Sequence, residues 1–467
     1  MPARPETIVA EQFDVIIVGA GVVGCAIARE LSRSELSICV LEQSSDVGNA
    51  TSKANTAILH TGFDCVPGSL ESTLVSRGYE RLLAYSEHCG IAVEKTGAIL
   101  VAWDEDQRAE LPALQEKAIA NGYHHTRILE SSEIYEREPH LGPGVLGGLE
   151  VPDESIIDPW SPIVAFATQA KHAGVTFVFN SSVVSVTTQD GRHLVTTSQG
   201  KYSSTWLINA AGLFSDSIND YCGHDEFTIT PRRGELIVFD KLARSLLSSI
   251  ILPVPTATTK GVLVSPTAFG NVLLGPTADD IEDKNATATT HDGITRLIEA
   301  GRRIMPELID EEVTATYAGL RAASQHRDYQ IHLHADQRYI CVGGIRSTGL
   351  TASMAIGDHV ATLLEEAGVT LSANPRFRED LTMPPLGESQ CRPYQDPSKI
   401  AADPAYGQVL CHCEHVSAGE IRDAARAVMP ATTQEGLRRR TRAMNGRCQG
   451  FYCSAQVLEC FEVSSDE

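Results

Sequence analysis

A chain of 467 residues is longer than one hydrophobic core usually serves, and 42% hydrophobic with 21% charged residues describes an ordinary globular protein of two or three domains. Thirty-eight basic against sixty acidic residues leave a formal charge of −22, which disfavours nucleic acid and anionic membrane surfaces as partners and requires any anionic substrate to find a local basic pocket. No apolar run approaches a membrane span, and twelve cysteines in a chain whose first dozen residues lack the marks of a signal peptide point to thiols or metal ligands in a cytoplasmic protein, not to a disulfide framework.

After a loose tail at 1–12, Asp14-Val-Ile-Ile-Val18 reads as a buried parallel strand that ends in Gly19-Ala-Gly21-Val-Val-Gly24. A helix follows from Cys25, then a second strand, Ser37–Leu41, ends in Glu42. In this βαβ setting each residue has a task. Gly19 permits the tight turn, Gly21 lets the backbone approach a pyrophosphate, Gly24 allows close helix–strand packing, and Glu42 can accept from ribose hydroxyls. The fingerprint alone fits FAD and NAD equally, and a bare glycine turn is its bland alternative.

Further strands are expected at Ala98–Trp103, Thr176–Phe179, Trp206–Asn209, Glu235–Phe239, Gly261–Val264, Asn271–Leu274 and Tyr339–Val342, with helical stretches between many of them. The interleaving predicts an α/β fold, a Rossmann-type nucleotide-binding domain with a mixed-sheet substrate domain threaded through it. Prolines and charges dominate from Asn374 to Pro404, a linker by composition. Beyond it lie Cys411-His-Cys413 and Cys448-Gln-Gly-Phe-Tyr-Cys453, separated by two helix-start signals, Ser417-Ala-Gly-Glu420 and Thr432-Thr-Gln-Glu435. Four thiolates so placed can bind a [2Fe–2S] cluster or a tetrahedral zinc; the one-residue gap between Cys411 and Cys413 is shorter than the usual zinc spacing and leans towards iron. His412 and His415 leave a mixed ligand set open, and Cys25, Cys39, Cys341 and Cys460 read as small core residues.

Several motifs recur in a familiar order: Asn49-Ala-Thr51-Ser52-Lys-Ala-Asn-Thr-Ala-Ile-Leu-His60-Thr-Gly-Phe, Pro231-Arg-Arg233-Gly-Glu, Gly275-Pro-Thr-Ala, Ala318-Gly-Leu-Arg321 and Gly343-Gly344-Ile-Arg346-Ser-Thr-Gly349-Leu350-Thr351. Over Phe13–Glu366 the chain resembles the FAD-dependent family that includes glycerol-3-phosphate and L-2-hydroxyglutarate dehydrogenases, with a fold like D-amino-acid oxidase. The tail, with Gly446-Arg-Cys-Gln-Gly450, resembles the bacterioferritin-associated-ferredoxin-like domain and there implies [2Fe–2S].

The resemblance implies FAD-binding parts at about 13–60, 145–225 and 330–373, substrate parts at about 61–144 and 226–329, and a small helical cluster domain at 405–467. Gly19, Gly21, Gly24, Glu42, Thr51, Ser52, Val183, Ala211, Gly212, Gly343, Gly344, Gly349, Leu350 and Thr351 would hold FAD, the last glycines preceding a helix whose amides can stabilise negative charge on a reduced flavin. His60 is the expected base and Arg321 the expected anion grip, with Arg346, Arg233 and Lys260 as further cations; a structural histidine and a solvated Arg232-Arg233 turn are the alternatives. After Arg321 the chain departs from its relatives' pattern, running Ala-Ala-Ser-Gln-His-Arg-Asp-Tyr329, which leaves the substrate open between glycerol 3-phosphate and a 2-hydroxy acid.

The implied reaction is oxidation of a CH–OH group, with electrons leaving through FAD and the cluster to a quinone, a redox protein or a partner subunit, in a homo- or hetero-oligomer or as a single chain. Two rivals stand beside it: an amine or imino-acid dehydrogenase of the opine or hydroxyproline type, and a non-catalytic electron-transfer subunit.

Overall fold

The computed structural model describes residues 10–255 and 261–466. Strand β1 (Glu11–Val18) runs parallel to β2 (Ile38–Leu41) on one side and to Lys201–Asn209 on the other. Among the described residues these belong to an eight-stranded sheet that continues through Thr176–Val178 at one edge and Tyr339–Gly343 with Gln330–His334 at the other. β1 reads as an unbroken apolar run because both its faces are covered. Val15 and Ile17 pack into a cluster with helix α1 (Val22–Leu31) and with Ser161–His172 and Gly349–Glu366, while Ile16 and Val18 face a second cluster with Leu213, Ile218 and Leu320.

A second sheet, nine-stranded among the described residues, is mixed and is centred on two long antiparallel strands, Ile229–Phe239 and Val313–Ser324. It includes Gly147–Val151, which pairs with Ala98–Ala102 and Arg127–Glu130. This corrects the division by position at residue 145: Leu149 and Val151 carry the apolar side chains that complete this sheet's core, whereas Ser155–Ile157 turns back to pair with Ile58–Leu59.

The segment 374–404 is pinned to the surface it crosses. The Asn374 amide donates to the Ser32 and Ala173 carbonyls, Met383 N to Cys89 O, Glu388 N to Ala268 O and the Gln390 amide to Gly90 O. Its polar composition reflects backbone partnership with both sheet domains as much as solvation. Beyond it, a hairpin of Val409–Cys411 and Val416–Ser417 leads into helices Ala418–Arg426, Gln434–Thr441 and Ser454–Asp466 around a small core of Ile421, Leu437, Val457 and Phe461. Ser417 and Glu420 form the expected capping box. The next helix starts one residue later than expected: Thr433 caps Gly436 N, because the Thr432 hydroxyl turns to Ser45 O of the first domain.

Candidate active site and cluster site

The turn after β1 has the shape its glycines predict. Gly19 sits at φ +101°, and a Cβ there would come within 2.6 Å of Ala210 O; a Cβ on Gly24 would meet Gly19 O at 1.9 Å. Gly21 caps α1, whose first turn carries no acid, so its N-terminal amides present uncompensated positive potential, as a pyrophosphate requires. Ser52 lies at that end, its hydroxyl accepting from Val22 N at 3.0 Å, and the Thr51 hydroxyl donates to Leu320 O at 2.8 Å. Glu42 is buried at the end of β2, where its carboxylate accepts from Ala20 N and Ser44 N at 2.7 Å each. Ser181 N donates to Glu42 O, which sets the chain leading to Val183 beside the same strand end. Opposite, Ala211 and Gly212 (φ +57°) follow Asn209, whose side chain takes Ala211 N at 3.2 Å. These residues fit a dinucleotide in groove, charge and clearance.

The segment 51–60 connects this groove to the second sheet. Ala54 O lies so near Gly319 that any side chain there would collide with it, and the Tyr317 hydroxyl donates to Asn55 O at 2.7 Å. The His60 backbone N–H donates to the Thr351 hydroxyl at 3.0 Å, near the start of the helix Gly349–Glu366; that helix too has no acid in its first turn. It is entered through Gly343 and Gly344 (φ +65°), and Leu350 packs against the first-domain core.

His60 Nδ1 lies 3.0 Å from Glu154 Oε2, and the other oxygen of Glu154 accepts from Thr61 N and the Thr61 hydroxyl at 2.7 and 2.9 Å. Glu154 is fully buried. A carboxylate so fixed favours the tautomer with the ring proton on Nδ1.

Arg321 is held inside the second sheet, and Gly234 supplies the room: a Cβ there would stand 2.9 Å from the guanidinium. Burial, with Arg232 adjoining, pulls Arg321 down to about 10, so it remains a cation at neutral pH. Among the described residues no carboxylate pairs with it, and its Nη1 donates to Thr277 O at 3.4 Å. A half-buried guanidinium without a carboxylate partner among the described residues is a place prepared for an anion.

The other cations are placed differently. Strand alternation puts Arg233 on the opposite face from Arg232 and Gly234, where it lies 3.7 Å from the buried Glu235, so it does not converge with Arg321. Arg232, on Arg321's face, is engaged by Asp280 at 2.6 and 2.9 Å. Arg346 pairs with Glu71 at 3.2 Å and donates to Arg327 O, so its charge is already answered. Lys260 lies outside the described residues.

In the C-terminal domain Cys413 and Cys448 bring their sulfurs to 3.6 Å, while Cys453 stands close to Cys411, which accepts from Met444 N at 3.4 Å. Burial and the neighbouring thiols push Cys453 up to about 12, since anionic sulfurs at this range repel unless a cation lies among them. Neither histidine joins the set: His412 is exposed and His415 stacks on Tyr394.

Residues 14–363 match the family model described as FAD dependent oxidoreductase, three-quarters of the chain. The chain belongs to this family. Residues 409–463 of the flavoenzyme match the BFD-like [2Fe-2S] binding domain, so FAD and a [2Fe–2S] cluster are its cofactors. The chain is 34% identical to a glycerol 3-phosphate dehydrogenase of Caloramator mitchellensis, over 96% of its own length and 93% of the relative's. It is 30% identical to an L-2-hydroxyglutarate dehydrogenase of Indibacter alkaliphilus, over 57% of its length and 68% of the relative's. The dithionite-reduced L-alpha-glycerophosphate oxidase of Mycoplasma pneumoniae with FAD bound superposes with a TM-score of 0.76 at 32% identity, covering 80% of this chain and 99% of that one. Among the described residues no helix of the flavoenzyme is long and apolar enough to cross a membrane.

Two features of the flavoenzyme escaped its sequence. Glu154 stands 94 residues from His60, and no local motif links them. The cluster domain docks through Arg439 and Arg440, which meet at the buried Asp46. Between the domains a cavity of about 820 Å³ runs from Thr51 and Asn55 to Asn445 and Gln449, the last next to Cys448.

Proposed function

We propose that this flavoenzyme oxidises the secondary alcohol of sn-glycerol 3-phosphate to a ketone and delivers the electrons singly to an external acceptor. The observation that carries the reading is Arg321, a half-buried cation with no carboxylate partner among the described residues, on a strand joined through Gly319 and Tyr317 to the segment that bears His60. The named activity of the Caloramator relative, matched along nearly the whole of both chains, supports the phosphate over the carboxylate of a 2-hydroxy acid.

In this reading the phosphate binds Arg321, which fixes the distance from the charged end of the substrate to its CH–OH group. His60 accepts the hydroxyl proton at Nε2, and Glu154 holds the ring in the tautomer that allows it and balances the imidazolium that forms. FAD, when bound along Gly19–Gly24, Glu42 and Thr51–Ser52, supplies the two-electron acceptor for the hydride, and the [2Fe–2S] centre at Cys411, Cys413, Cys448 and Cys453 a one-electron carrier. The cavity between the segment 51–57 and Gln449 supports communication between the two sites, and the acceptor is a quinone, a redox protein or a partner subunit.

Anaerobic addition of sn-glycerol 3-phosphate to the holoenzyme is expected to bleach the flavin bands. Bleaching by L-2-hydroxyglutarate alone would transfer the assignment to 2-hydroxy acids, and bleaching by secondary amines alone to the amine dehydrogenases.

A further inference from the structure

Outside the flavin groove and the cysteine centre, three side chains gather where the loop after helix Ser215–Tyr221 meets the strand Gln330–His334. His224 Nδ1 lies 3.3 Å from Glu226 Oε1, and His334 Nε2 lies 3.7 Å from the same oxygen. The three atoms fall within 4.8 Å of one another. We propose that His224, Glu226 and His334 form a binding site for a divalent transition metal of the zinc class.

The spacing is that of ligands around one ion. Zinc bonds of about 2.0–2.2 Å to nitrogen and oxygen place tetrahedral donor atoms roughly 3.3–3.5 Å apart, close to the observed separations, and the two stacked imidazoles would splay to aim both lone pairs at one ion. Two imidazoles and one carboxylate select zinc and its neighbours over calcium or magnesium, which favour all-oxygen sets. Three protein ligands leave a position for water or an outside donor.

The surroundings orient the ligands. His224 Nε2 lies 2.7 Å from Gln337 Oε1, to which it can donate, and that proton leaves the Nδ1 lone pair directed at the site. The Asn219 amide donates to Glu226 Oε2 at 2.7 Å, reserving Oε1, and Asn219 is itself fixed by the Tyr339 hydroxyl at 3.0 Å. The His224 and His334 rings stack at 3.6 Å, with Tyr339 against both. An ion pair would account for Glu226 with one imidazole. It does not account for both rings turning a nitrogen to the same oxygen, nor for the His334 Nε2 that is shielded from solvent and lacks a hydrogen-bond partner among the described residues.

A bound ion would brace the loop 222–228 to the strand 330–334, at the edge of the sheet that carries the dinucleotide groove. The test is calorimetric titration of zinc chloride into holoenzyme that retains FAD and cluster, beside the double variant His224→Gln/His334→Gln. One zinc per chain at micromolar or tighter affinity is expected, weakened at least a hundredfold in the double variant, with an unchanged visible spectrum. If the double variant loses FAD and so does not report on the intact fold, Glu226→Gln at the exposed ligand replaces it, with at least tenfold weakening expected. Zinc-edge X-ray absorption of the loaded wild type should show only nitrogen and oxygen neighbours near about 2.0 Å. Equal binding by a folded variant, no binding below millimolar zinc, or sulfur neighbours near about 2.3 Å would each overturn the site.

Discussion

Arg440 closes a two-pronged ion pair on Asp46, Nη1 to Oδ2 at 2.7 Å and Nη2 to Oδ1 at 2.8 Å, and so fastens the cluster domain to the loop that follows Glu42. Arg439 adds a contact to the same carboxylate at 2.7 Å and reaches Asn49 at 3.1 Å. With the Asp46 side chain only 3% exposed, the arrangement stands or falls as a unit.

Removing Asp46 leaves two arginines buried without their anion. Asp46→Ala should therefore destabilise the protein by about 3–5 kcal/mol, the range for breaking a buried pair from one side. Calorimetric unfolding of wild type and variant measures it, and an unchanged transition would show that the domains do not depend on this contact.

The same pair sets an acid limit. Burial raises the Asp46 pKa, but Arg440 and Arg439 outweigh it and hold the carboxyl below its ordinary 3.8. A depressed folded-state pKa means that the contribution is complete above the unfolded value and is lost as pH falls through the folded one. The stability difference between wild type and Asp46→Asn should stay constant from neutrality to about pH 5 and shrink below about pH 4, as read by denaturant titration across that range.

His60→Ala should slow reduction of FAD by substrate by about 10²–10⁴-fold with FAD content unchanged. Glu154→Gln should slow it less and leave His60 in place with its tautomer no longer enforced. Stopped-flow absorbance at the flavin band separates the two; a wild-type rate in His60→Ala removes His60 from the reaction.

Arg321→Met should lower kcat/KM for sn-glycerol 3-phosphate by at least about 10²-fold, the loss of one partner of a buried charge pair, and Arg321→Lys should recover part of it. Activity on glycerol, which carries no anion, should be equally poor in all three proteins. A Met variant with an unaltered KM would place the phosphate elsewhere.

Cys448→Ser should abolish the long-wavelength iron–sulfur absorbance and turnover with one-electron acceptors while substrate still bleaches the flavin. Anaerobic spectra before and after substrate show both effects in one sample.

What could be read in advance was local. Gly19, Gly21, Gly24 and Glu42 follow one another within a single βαβ unit, and the cysteines announce themselves by spacing, so both centres were legible in the sequence. Arg233 was misplaced because a strand reverses facing at every residue and its neighbours do not say which face is which; the structure gives that face to Arg232 and Gly234. Glu154 and Asp46 were invisible for another reason. Each acts on a residue brought to it only by the fold, 94 positions away for His60 and 394 for Arg440. Gly147–Val151 falls inside the part expected from about 145 to contribute to FAD binding, and its pairing with Ala98–Ala102 places it in the second sheet.

The most direct test of the central claim is the anaerobic visible spectrum of the holoenzyme before and after sn-glycerol 3-phosphate, with L-2-hydroxyglutarate in a parallel cuvette. Prompt bleaching of the flavin by the phosphate, slow or no bleaching by the hydroxy acid, and loss of the response in Arg321→Met are predicted. A flavin that stays oxidised with sn-glycerol 3-phosphate would contradict the account.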